Sequence, residues 1–141
     1  MTTLAEAFQA VQSVSFMLRG PHRKLLDVVQ AHLLGLVSTS HLTLFLAEAR
    51  ESGPTLSWAS STLVPSQRTT VRAALATAST AIFTLSEASV ASSNHPKFED
   101  MCRLALLAAK LALEYVEKAK SCAGTIRGPS YSDLQSLWDH D

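Results

Sequence analysis

Residues 96–122 read PKFEDMCRLALLAAKLALEYVEKAKSC. Met101, Leu104, Ala105, Ala108, Leu111, Ala112, Tyr115 and Ala119 return at the three- and four-residue spacing of one face of an α-helix. Pro96 suits the first turn of a helix, and Gly124 supplies a stop. Glu99 and Asp100 lie in the first turn, where negative charge is favoured by the helix dipole. The helix also has a second apolar side, made of Cys102, Leu106, Ala109, Leu113 and Val116. Arg103, Lys110, Glu114 and Glu117 leave only a narrow charged strip for water. Two readings follow. Either this is the central helix of a bundle, or its second side buries against another chain.

The stretch before it, about 67–92, is a comparable helix with Ser66 as N-cap and Val71, Leu75, Ala78, Ile82 and Leu85 as its stripe. Ala76, Phe83 and Val90 recur every seven residues on the opposite side. At the other end of the chain, Thr3 and Glu6 form a T-x-x-E capping box that opens a helix over about 3–19. Leu4, Phe8, Val11 and Leu18 repeat along that helix, and Gly20-Pro21 ends it. A further helical region starts at Pro21 and reaches about residue 50, with Leu26, Val29, Leu33, Leu36, Val37 and Leu44 on one side. Gly35 and Ser38-Thr39-Ser40 weaken its middle, so one kinked helix and two short ones are both open, with Ser40 able to cap the second. Residues 51–66, bounded by Pro54 and Pro65, form a long connection whose Leu56, Trp58, Leu63 and Val64 suggest a packed loop or short helix.

No segment alternates with the period of a strand. The expected fold is all-α: a single-domain, four- to five-helix antiparallel bundle over 1–124, followed by a tail over 125–141. In that tail Ser132 and Gln135 make a capping box for a short amphipathic helix carrying Tyr131, Leu134, Leu137 and Trp138.

Composition narrows the function. Hydrophobic residues make up 47% and charged residues 17% of the 141, a low charged share that makes a partner or oligomer more plausible. Twelve basic residues balance twelve acidic ones, so no basic excess argues for nucleic acid. The N-terminus lacks a basic region followed by an apolar core, and the longest apolar run, near 103–113, is broken by Lys110, so neither a signal peptide nor a membrane span is expected. Cys102 and Cys122 would be about 30 Å apart along one helix, too far to pair, and read as reduced core thiols of an intracellular protein.

Candidate chemistry is sparse. His22, His32 and His41 are spaced by ten and nine residues, unlike helical metal ligands, and read as surface or partly buried side chains. His22 with Arg19, Arg23 and Lys24 forms a basic cluster at a helix start, where an anion is one reading and a solvated turn the other. No nucleophile elbow and no glycine-rich phosphate loop is present. No cofactor and no metal are therefore expected. The expected function is a non-enzymatic protein-interaction or oligomerisation module that binds itself, as a homodimer, or a protein partner. Phe83 and Val90, with Leu134, Leu137 and Trp138 from the tail, would form its contact surface. The alternatives are a bundle that takes a small apolar ligand or lipid in a pocket of Phe45, Trp58, Met101 and Tyr115, and a small enzyme with an unrecognised site.

Overall fold

Thr3 opens the first helix as its spacing requires: the Glu6 amide donates to Thr3 Oγ1 at 3.1 Å, and the Thr3 hydroxyl lies 3.3 Å from Glu6 Oε1. In the computed structural model, which describes residues 2–52, 65–91 and 93–123, this helix, α1, covers Leu4–Ser13. It stops earlier than expected. The Ser13 hydroxyl turns back onto the Ala10 carbonyl, competing with helical continuation, and Ser15–Met17 tightens into a 3-10 turn. That turn buries Val14, Met17 and Leu18 together. Gly20 then takes a φ of +52°, a conformation costly for any side chain, and Pro21 begins α2.

The region after Pro21 is two helices, α2 (Pro21–Leu33) and α3 (Thr39–Ser52). Gly35 is the reason. Its φ is +76°, its amide donates to the His32 carbonyl at 3.0 Å, and the Leu36 amide donates to the Ala31 carbonyl at 2.9 Å. This pair of backward bonds is a Schellman stop, which needs a left-handed residue at the turn. Ser38, not Ser40, caps α3, accepting the His41 amide on its hydroxyl at 3.1 Å. Because the chain reverses here, the expected stripe does not continue through it. Leu25, Leu26 and Val29 are buried, while Leu33, Leu34, Leu36 and Leu44 are exposed. Leu42, Leu46 and Ala49 are the residues α3 buries.

Helix α4 runs Pro65–Val90 and α5 runs Phe98–Ala123. The short link between two helices of this length, packed along each other, makes them an antiparallel hairpin, the most extensive pairing among the described residues. The fold is thus all-helical, five α-helices in one bundle, with no strand among the described residues. Among the described residues α4 packs on α1, α2, α3 and α5, whereas the main partners of α5 are α4 and α1. The central helix is therefore α4, and of the two readings of the 96–122 helix the one that puts it at the centre of the bundle is corrected. Ala74, Ala78, Ala81 and Ala88 are fully buried on α4, where small side chains let neighbouring backbones approach closely. Ser86 and Ser89 are buried too, and each hydroxyl donates to the carbonyl four residues earlier at 2.8 Å, so neither is left unsatisfied. Arg50 of α3 and Glu87 of α4 form an ion pair between helices that spacing alone could not foretell.

The Thr69–Val90 stretch of α4, with a mean hydropathy of 1.2, is long and apolar enough to cross a membrane, contrary to the expectation that no segment would be. Half of it is buried among the other helices, where its apolar side chains already have a destination.

Candidate interaction surface

Phe83 and Val90 were singled out from their seven-residue repeat on the far side of α4. Both are half-buried and packed against the core, because a central helix has neighbours on that side as well. The Phe83 ring meets His22 of α2 edge to face, centroids 5.1 Å apart at 78°. The rest of the expected surface, Leu134, Leu137 and Trp138 with the whole 125–141 tail, lies outside the described residues, as do Leu56, Trp58, Leu63 and Val64 of the long connection.

His22, expected at the surface or partly buried, is buried, and burial pushes its imidazole pKa below the ordinary value of about 6.5. The sign of the consequence follows. Above that value the ring is neutral in both folded and unfolded chains. As pH falls below it, the unfolded chain takes up the proton first, and stability is lost down to the lowered folded value. Thermal melts from pH 7 to pH 5 should show this loss, at up to about 1.4 kcal/mol per pH unit inside the window. His22→Phe, which keeps a ring against Phe83 but cannot titrate, should flatten the profile there.

The basic cluster around His22 is dispersed. Arg23 donates to the Ser15 carbonyl at 3.1 Å, holding the 3-10 turn, and the Lys24 ammonium sits 5.7 Å above the Phe45 ring. His32 pairs with the Thr39 hydroxyl at 3.2 Å, His41 lies against Phe45, and His95 Nδ1 accepts the Lys97 amide at 3.1 Å. Among the described residues no three His, Cys, Asp or Glu side chains converge as metal ligands. Cys102 is buried, and burial together with nearby Glu99 raises its pKa, so the thiol form is favoured there.

The expected pocket does not assemble from its described members. Met101 and Tyr115 are 14 residues apart on α5, about 21 Å along the axis, while Phe45 is on α3, which packs on α2 and α4. Phe45 instead lines an open cleft of about 450 Å³ with Gly20, Pro21, Lys24, Glu48 and Ala49.

The surface that sequence reasoning missed is on α5. Cys102, Ala109 and Val116 of the second side are buried together with Ala105, Ala112 and Ala119 of the main stripe, so both apolar sides contribute to the interior. Leu104, Leu107 and Leu111 point outward at 52%, 53% and 42% exposure. Leu104 and Leu111 fall in the main stripe that the spacing defines, and Leu107 in neither apolar side. A signal was available: the alanines mark where helices approach closely, so the leucines between them must point elsewhere. No protein-family model, curated protein or solved structure matches this chain.

Proposed function

We propose that this chain is a non-enzymatic protein-interaction or oligomerisation module of the cell interior, a helical bundle that presents apolar helix faces to a second copy or to another protein. The observation that carries this reading is the outward row of Leu104, Leu107 and Leu111 on a helix whose inner side is already filled. Large apolar side chains aligned on one exposed face favour a contact that removes them from water. The four exposed leucines of the α2–α3 hairpin, Leu33, Leu34, Leu36 and Leu44, extend the same argument to a second region. A small apolar ligand is the competing reading, supported by the open cleft beside Phe45, whose Lys24 and Glu48 make it a mixed rather than an apolar site.

A photo-crosslinking side chain placed at Leu107 or Leu44 tests the proposal in cells expressing the protein. Discrete protein adducts are expected from those positions and none from Gln12, an exposed polar residue of α1. Absence of protein adducts at both leucine positions overturns the reading.

A further inference from the structure

We infer that the outer face of α5 pairs with the same face of a second copy of this chain, the two helices running antiparallel. This rests on the interaction-module reading and names its partner. The face is more than three leucines. Asp100, Leu104, Leu107, Leu111, Glu114 and Lys118 are spaced 4-3-4-3-4, and all six are exposed. That spacing is the seam of a two-helix contact, a straight row about 27 Å long.

The charges on the seam choose both the partner and the direction. In an antiparallel pair, seam positions of one helix meet those of the other in reverse order. Setting the two-fold axis at the level of Ala109 places Leu107 opposite the second copy's Leu111, and Leu111 opposite its Leu107. The same register places Asp100 opposite Lys118 at each end. Leu104 then meets the aliphatic stem of Glu114, whose carboxylate reaches the second copy's Arg103, next to Leu104. Arg103 now holds Asp100 at 2.9 Å in an exposed pair, a weak contact that exchanges readily for the one across the interface. A parallel pair would instead set Asp100 on Asp100, Glu114 on Glu114 and Lys118 on Lys118, stacking like charges at three levels. The face is thus complementary to itself in one orientation only, which is what an isologous two-fold contact requires.

The seam is short and its leucine layers few, so the dimer is a weak, concentration-dependent one. Sedimentation equilibrium of the full chain over a wide concentration range measures it. The expected result is a reversible monomer–dimer equilibrium. Leu107→Glu should raise the dissociation constant at least about tenfold, because two carboxylates would be desolvated at the centre, with the melting temperature of the dilute monomer unchanged. Asp100→Lys should also weaken the dimer, by facing Lys118. Adding Lys118→Asp to that variant should restore the wild-type constant, a rescue that parallel pairing does not give. A chain that stays monomeric at every concentration overturns the pairing, whether residues 125–141 or a different protein covers the face. So does a dimer indifferent to Leu107→Glu, or charge variants without rescue. A monomer whose Leu107 crosslinks to another protein leaves the interaction-module reading standing, so the two failures are distinguishable.

Discussion

Ile82→Ala is expected to lower the stability of the bundle by about 3 kcal/mol, within the 2–5 kcal/mol typical of such truncations. Ile82 has no solvent exposure and lies on α4, the helix that packs on four others. Truncation removes apolar contact and leaves a cavity that a rigid central helix cannot collapse. For a chain of this length the melting temperature should fall by about 10 °C. Leu107→Ala deletes a side chain of similar size from α5, yet the residue is 53% exposed and its loss leaves no cavity. Measured in dilute solution, where self-association would be weakest, that variant should melt within a few degrees of wild type. Equal losses from the two truncations would show that Leu107 is as buried as Ile82 and overturn the outward face of α5. Thermal and urea unfolding followed by circular dichroism measure both.

Ala109→Leu is expected to cost a further large amount, about 1–3 kcal/mol, for the opposite reason. Ala105, Ala109 and Ala112 of α5 are fully buried, as are Ala74, Ala78, Ala81 and Ala88 of α4. A helix pair lined with methyl groups sits at the close end of the usual 8–10 Å separation, and an isobutyl group there forces the helices apart or into strained rotamers. The same substitution at Ala76, which is exposed on α4, should change stability by no more than about 0.5 kcal/mol. A tolerated Ala109→Leu would mean that the hairpin packs loosely and that its alanines are helix formers only. Urea unfolding of the two variants beside wild type gives the comparison directly.

Local chemistry was legible wherever one residue or a short spacing carries its own constraint. Thr3 with Glu6 caps α1, Gly20-Pro21 separates the 3-10 turn from α2, and a helical period running from Met101 to Ala119 makes α5 a helix whatever surrounds it. Gly35 was visible as a weak point, but only its φ of +76° and the two backward hydrogen bonds made it a stop. The candidate surface was harder to read. Phe83 repeated as a surface residue repeats, yet it closes on His22, a residue of a different helix more than sixty positions earlier.

The sequence by itself determined that this chain is helical, where most of its helices begin and end, and that α4 and α5 carry more apolar surface than one face needs. Helical periodicity and capping are local, so neighbouring residues suffice to encode them. Only the tertiary structure decided which helix is central and which side of α5 meets water. Two apolar stripes on one helix are equivalent until a neighbour takes one of them. On α4 the alanines fall among more than one apolar row and give no preferred direction, yet in the folded chain four helices pack on it. Once α4 fills that place, α5 turns its alanines toward it, and Leu104, Leu107 and Leu111 are left outside.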